Sequence, residues 1–551
     1  MTNRCTRSQF FLAAGWTIFC SKQGTTKIML VEKPAMNEQI DTFQRLQQWL
    51  RDRWQKFEPF VTNQGKRTEN CNYDILVIPS ISLDRQELLK IQGVYHYEER
   101  LLFSLMRLRN PQTRLIYVTS LPIPPIVIDY YLQLLPGIPF SHARERLLLF
   151  STYDASAKSL TEKLLERPRL MQRIQNSLRQ DRSYMICFNA TNMERSLSVQ
   201  LGVPLLATDP ILLYWGTKSG SREIFEQTNI PYPDGSFLLK SSEELAFAAS
   251  ELLQRQPHLQ RLVVKLNEGF SGEGNAILNV NSIRQLPPSQ WIAALQAQFP
   301  HMKFQANGET WESYKQRIHD LGVIVEAYVE GKGKRSPSVQ GQIHPSGYVE
   351  ILSTHDQILG GPDGQIYLGC KFPADAGYRL QLQEYGLQVG KNLAAKGALD
   401  RFGVDFVAVP TETGWDLQAV EINLRKGGTT HPFMTVKFLT NGHYYYPKGL
   451  FYSQHGKEKY YIASDNLQQD HYQGLLPSDL MDIIASHQLH FDSATETGTV
   501  FHLIGSLSEF GKIGLTSIGN SAEQAEDIYN KAIQVLEEET AGKAPTNEPD
   551  K

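Results

Sequence analysis

The chain has 551 residues, 41% of them hydrophobic and 21% charged, proportions that exclude a disordered, collagen-like or membrane-embedded protein. Lys+Arg at 55 against Asp+Glu at 58 leaves a formal charge of −3, so no global basic field exists to hold a nucleic-acid backbone and no nucleic-acid partner is expected. At about 150 residues per domain, the length asks for three or four units.

Residues 1–36 form an extension. Its apolar stretch at 10–20, preceded by Arg4 and Arg7, resembles a short signal-peptide core without a small-x-small cleavage site. A start at Met29 or Met36 is the competing expectation. No apolar run reaches the length of about 20 residues needed to span a bilayer, so no membrane partner is expected. The cysteines (Cys5, Cys20, Cys71, Cys187, Cys370) form no CxxC pair and have no His at zinc-finger spacing. That argues against a structural metal or a disulfide framework and fits a reducing compartment, the cytoplasm.

The spacing of Ile40, Phe43, Leu46, Leu50, Trp54 and Phe57 predicts an amphipathic helix stopped by Pro59. Apolar runs at 75–78, 115–118, 147–150 and 185–188 predict buried strands. Helical patterns at 97–108, 126–135, 159–178 and 192–201 alternate with them, which predicts a parallel α/β layer over 37–207. From 208 the texture changes. Helices are expected at 221–227 and 241–253, then a strand at 261–266, a glycine-rich turn at 267–276 and a return strand at 277–280. Strand-like segments follow at 323–329, 348–353, 403–409 and 415–423, with a long helix pattern at 376–399 between them. Residues 441–539 read as a small α+β addition ending in a helix from 522, and 540–551 as a polar, disordered tail.

Gly269, Gly272 and Gly274, with Ser271 between them, would let backbone N–H groups crowd around an anionic oxygen, or form a plain hairpin turn. No GxxxxGK[ST] occurs, and a strand rather than a helix follows, so neither a Walker loop nor a dinucleotide fingerprint is present. Lys265 ends an apolar strand just before this turn, where a charge needs a reason such as a facing phosphate. Lys218, in Thr217-Lys218-Ser219-Gly220-Ser221-Arg222, reads in isolation as an exposed lysine before a helix. Further on, strand alternation puts Glu421, Asn423 and Arg425 on one face, with Ile422 and Leu424 on the other. If 403–409 and 415–423 form a hairpin, Asp405, Glu421 and Asn423 converge as hard oxygen ligands suited to Mg²⁺. A surface strand of mixed charge is the alternative. Glu326, in Val323–Glu330, would accept from the amine of an adenine ring.

Two lysines flanking a flexible segment, a glycine flap, an E-x-Y-V linker and D…E-x-N-x-R occur in this order, which resembles the ATP-grasp superfamily over roughly residues 208–435. The stretches 93–100 (GVYHYEER), 122–125 (PIPP), 215–222, 265–274 and 421–432 (EINLRKGGTTHP) are most similar to the pheganomycin-type peptide ligases and their cyanobacterial relatives. The resemblance implies an α/β and α+β multidomain chain. Its parts are a Rossmann-like pre-ATP-grasp domain (37–207), an ATP-grasp domain (208–440, with a lid at 225–325) and a C-terminal α+β domain (441–539). It implies an ADP-forming carboxylate–amine ligase that works through an acyl phosphate on a small-molecule carboxylic acid and an amine, an amino acid or peptide. The cofactors implied are ATP and Mg²⁺, two ions, with Mn²⁺ as a substitute. Lys218 and Lys265 would contact phosphates under the flap. Glu326 and Val329 would hold adenine, Asp405, Glu421 and Asn423 magnesium, and Arg425 the acyl phosphate. His431 would deprotonate the amine or simply pack, and Lys426 would anchor a substrate carboxylate or lie in solvent. Ala327 replaces a lysine common in relatives, and Lys332, Lys334 and Arg335 stand where a ribose-binding acid is usual. A thiol acceptor and a non-catalytic nucleotide-binding role are the alternatives, and a homo-oligomer is left open.

Overall fold

The computed structural model describes residues 36–57, 72–83, 85–135, 137–269, 274–306, 308–360 and 366–541. The signal-like stretch at 10–20, Met29, Pro59, Cys5, Cys20, Cys71, the flap tip with Ser271 and Gly272, and residues 542–551 lie outside them.

The expected α/β layer is a four-stranded parallel sheet in the order Leu147–Ser151, Arg114–Thr119, Asp74–Ile78, Ser183–Cys187. Asp74–Ile78 and Ser183–Cys187 are buried along their whole length, because helices cover both faces of such a sheet and leave no side for water. The pattern at 97–108 forms a helix of 3₁₀ type over Val94–Arg109. The pattern at 159–178 splits into Leu160–Leu165 and Pro168–Ser177, since a proline opens a helix readily but cannot continue one.

A second four-stranded sheet, antiparallel, takes Lys303–Phe304, Asn275–Asn279, Arg261–Leu266 and Val323–Ala327 in that order. The strand, glycine turn and return strand thus form a hairpin. With the helices Ser242–Arg255 and Trp291–Gln298 it closes a core of its own, including Leu245, Leu262, Leu278 and Val325.

The largest sheet has ten strands. It runs from Gly414–Asn423 through Asp400–Thr411, Pro337–Ile343, Val349–Gly360 and Ile366–Phe372 into Glu458–Gln468. Three of these, Pro337–Ile343, Ile366–Phe372 and Glu458–Gln468, have no counterpart among the expected strands. The sequence Pro-Ser-Val-Gln-Gly-Gln-Ile lacks apolar alternation and contains both strand-weakening residues. Gly341 is nevertheless required there, because a Cβ would stand 2.2 Å from the Phe402 ring.

The C-terminal segment joins this sheet, with Phe372 opposite Tyr461 and Gly369 opposite Ser464. Lys512–Gly519 then pairs with Glu458–Gln468. One hydrophobic cluster includes Leu115 and Tyr184 of the parallel sheet together with Val500, Leu515 and Leu536. The first and last thirds of the chain therefore share a core, while the segment between Leu245 and Val325 has its own. Leu262→Ala should cost about 2–5 kcal/mol by opening a cavity in that separate core. Hydrogen exchange should show lost protection across 245–325 with the strands at 74–78 and 114–119 unchanged.

Candidate functional site

The site is built around the helix Lys218–Gln227. Thr217 caps it by accepting from the Gly220 N–H. Gly220 packs so closely on the preceding turn that a Cβ would lie 2.0 Å from the Tyr214 carbonyl oxygen. Lys218 is the first residue of this helix and is buried, a placement opposite to that of an exposed lysine. Its ammonium pairs with Glu421, and its backbone N–H donates to the Asn267 carbonyl at 3.0 Å. Ser219 donates to Asn267 Oδ1 from its N–H at 2.9 Å and its hydroxyl at 2.7 Å. The Ser221 hydroxyl oxygen accepts from the Ile422 N–H at 3.0 Å. Arg222 donates to Glu326 Oε1 at 2.7 Å and to the Pro233 carbonyl at 2.8 Å. Asn267 is a site-building residue that composition and spacing do not reveal. Its only sequence signal is its position between the strand at 261–266 and the glycines.

Lys265 pairs with the second oxygen of Glu326. Antiparallel register puts Val263 opposite Glu326 and Lys265 opposite Ile324, so both charges project from one face. Burial alone would raise the Glu326 carboxyl, but Lys265 and Arg222 outweigh it and hold it below its ordinary 4.5. Glu326 lines the cleft, yet its two oxygens already serve two cations. The oxygens expected to face adenine are the ones that Arg222 and Lys265 hold here. Val329 also lines the cleft, on the linker after Val323–Ala327. Of the flap, Gly269 and Gly274 are described. They close the hairpin, with the Gly274 carbonyl accepting from the Leu266 N–H at 2.9 Å.

Across the cleft, Asp400–Thr411 and Gly414–Asn423 form the antiparallel hairpin on which the metal expectation depends. Asp405 stands opposite Glu421, and Gly403 opposite Asn423. Asp405 accepts from Gln357 Nε2 at 2.7 Å and from Asn423 Nδ2 at 2.9 Å. Burial, and then the neighbouring Glu421 charge, push Asp405 up to about 6. Lys218 pairs with only one of these two half-buried carboxylates, and with the Asn423 amide they are the hard oxygen donors that magnesium takes. No group of three or more His, Cys, Asp or Glu gathers to hold a metal among the described residues. The remaining positions of an octahedral shell would therefore fall to phosphate oxygens and water.

Arg425 lies on the same side and lines the cleft. Lys426 does not reach it. Its ammonium is buried in an ion pair with Asp400 at 2.5 Å, which corrects its expected place as a substrate anchor. His431 lies beneath the cleft floor. It is buried, its ring stacks on His502 at 4.0 Å, and Tyr131 Oη is 3.2 Å from its Nε2. Burial, with the neighbouring His502 adding to it, holds it well below its ordinary range. This is the packing role, and a proton-accepting role has no support in that position.

Lys265, Glu326, Val329, Asp405, Glu421, Asn423 and Arg425 all face one cleft of about 650 Å³. Its far end, beyond Arg425, is walled by Tyr97 and Arg100 from the first third of the chain and by Asp465 and Lys512 from the last. The recognisable stretch at 93–100 thus contributes a cleft wall.

Residues 210–307 and 289–445 match the family described as IQCH-like, ATP-grasp, and residues 479–532 match the PGM1 C-terminal domain. The L-propargylglycine–L-glutamate ligase of Streptantibioticus cattleyicolor is 30% identical over 490 residues, covering 86% of this chain and 96% of that protein. IQ motif-containing protein H of Danio rerio is 23% identical over 423 residues, which are 69% of this chain and 40% of that protein. The biotin carboxylase domain of Hydrogenobacter thermophilus 2-oxoglutarate carboxylase, solved with MgADP, ADP and bicarbonate, shares the fold. Its TM-score is 0.50 at 13% identity, over 84% of this chain and 89% of that one.

Because the folded Glu326 titrates below 4.5, the stability that its two cations contribute is present above pH 4.5 and is lost as pH falls through the folded value. Arg222→Met should therefore destabilise by about 3–5 kcal/mol at neutral pH. The difference from wild type should narrow in acid, below pH 4.5, as Glu326 takes a proton. Urea titrations at both pH values measure this, and an equal cost at both would mean that Glu326 is not the charge involved.

Proposed function

The chain belongs to the ATP-grasp ligases, in the family of the L-propargylglycine–L-glutamate ligase, and we propose that it joins a small-molecule carboxylic acid to the amine of an amino acid or peptide with release of ADP and phosphate. The observation that carries this reading is the division of charge across one cleft: Lys265 on the lid sheet, and Asp405, Glu421, Asn423 and Arg425 on the facing hairpin and the residues just after it. A site that transfers a phosphoryl group to a carboxylate needs this division. Cations must neutralise the polyphosphate and the developing charge, and little is required of side-chain acids or bases.

In the first step a carboxylate oxygen of the acid forms a bond to the γ-phosphorus, and the bond from that phosphorus to the bridging oxygen breaks, releasing ADP. Lys218 and Lys265 are the cations that would face the phosphates once they leave Glu421 and Glu326. Arg425, whose fork of donors matches a phosphoryl or carboxyl group, would hold the acyl phosphate. In the second step the amine nitrogen bonds to the acyl carbon, the carbon–oxygen bond breaks, phosphate leaves, and the amine gives up a proton. Val329 and its neighbours would offer backbone groups to adenine, and Glu326, with Arg222 on one oxygen, would have the other free to accept from the adenine amine once Lys265 has left it.

Asp405, Glu421 and Asn423 would hold magnesium, two ions on one polyphosphate, with manganese able to substitute as another oxygen-seeking cation. When bound, magnesium neutralises phosphate charge. An acyl phosphate is lost to water unless the site closes, and the independently cored segment at 245–325, within the lid expected at 225–325 and with Gly269 and Gly274 at its edge, is the natural lid. The buried, free thiols of Cys187 and Cys370 suit a reducing cytoplasm. No helix among the described residues is long and apolar enough to cross a membrane.

Incubation with Mg-ATP, hydroxylamine and a panel of carboxylic acids tests the reading. Acid-dependent ADP release with hydroxamate formation is expected, and nucleotide binding without turnover under any acid would overturn it. Glu421→Ala should lower the rate roughly 10²–10³-fold with the thermal unfolding profile retained. Unchanged turnover would remove the metal assignment.

A further inference from the structure

The far end of the cleft holds cations that the phosphoryl chemistry does not use. Lys512 begins the strand Lys512–Gly519 and lines the cleft half-buried. Its ammonium donates to the Tyr97 hydroxyl at 2.6 Å and lies 5.2 Å from the centre of that ring. Among the described residues no carboxylate comes within ion-pairing distance of it. A half-buried lysine without an anion is costly unless an anion arrives from outside. Arg100 stacks on the same Tyr97 ring at 4.2 Å and pairs with Asp465. Its Nε is buried without a hydrogen-bond partner, so the guanidinium retains donor capacity beyond that pair. The two cations therefore share one phenol ring, and of the two only Arg100 has a carboxylate partner.

We infer that Arg100 and Lys512, presented on Tyr97, bind a second carboxylate of the substrates, one that takes no part in the reaction. This rests on the ligase reading above and deepens it. The reacting carboxyl belongs beside Arg425, Asp405 and Glu421. The unreacted one, at the far wall, would fix the orientation of the molecule that carries it and exclude uncharged analogues, because an unmatched, half-buried cation penalises them. Two sources carry this chemistry: the α-carboxylate of an acceptor amino acid, and the second carboxyl of a dicarboxylic donor. Asp465, beside Arg100, would meet the ammonium of either if it is an amino acid.

Two arms separate the sources. With hydroxylamine as the acceptor, monocarboxylic and dicarboxylic donors are compared by kcat/KM. With one good donor, amino acids are compared with their carboxamides as acceptors. The wild type should prefer the extra carboxylate in one arm by about tenfold or more, the range of a charge-assisted hydrogen bond. That arm identifies the source. Lys512→Met should erase most of this preference, read as a ratio within the same variant so that any general loss cancels. Lys512→Arg should restore it. ADP release without preference in either arm, or a preference that survives Lys512→Met, overturns the inference and leaves the ligase reading standing. No ADP release with any donor overturns both.

Discussion

The first turn of the helix Lys218–Gln227 fastens the two halves of the cleft to each other. Four polar residues among five consecutive positions take partners from three distant parts of the chain: Lys218 on Glu421, Ser219 on Asn267, Ser221 on the Ile422 backbone and Arg222 on Glu326. A helix start has unsatisfied N–H groups and a positive end. Here the Ser219 N–H is spent on Asn267, at the end of the strand that carries Lys265. The strand carrying Lys265 and the hairpin carrying Asp405 and Glu421 are thus referenced to one short element, and the distance between their charged groups follows from it.

The charges of the cleft compensate one another. Lys218 rests on Glu421 and Lys265 on Glu326, which lowers the cost of holding them out of water. On the proposed function, a polyphosphate draws the lysines away. Glu326 keeps Arg222, whereas Glu421 and its neighbour Asp405 are left negative. That deficit is what a divalent cation would offset, so nucleotide and metal would favour each other's binding without any change of fold. The formal charge of −3 conceals this, because the groups cancel in pairs.

The hairpin bearing Asp405, Glu421 and Asn423 is legible in the sequence because strand alternation is a local rule: residues two apart share a face wherever the strand lies. Lys265 is legible for the same reason, as a charge in an apolar run. Pro337–Ile343 is not legible, since its place between Asp400–Thr411 and Val349–Gly360 outweighs a proline, a glycine and weak apolar content. Lys426 and His431 look accessible in Lys-Gly-Gly-Thr-Thr-His, yet Asp400 takes the one and His502 packs on the other. Neither partner is near them in the chain.

The amino-acid sequence alone therefore determined the parallel α/β layer, the two hairpins and which residues on them carry charge, because periods of two and 3.6 residues are local properties. Only the tertiary structure decided what those charges face. Lys512 reaches Tyr97 across 415 positions of chain, and Arg100 reaches Asp465 across 365. Such meetings depend on the C-terminal strands joining the central sheet while sharing a core with the first sheet. No spacing rule spans that distance, so the far wall of the cleft, and the choice of substrate it implies, appear only once the chain is folded.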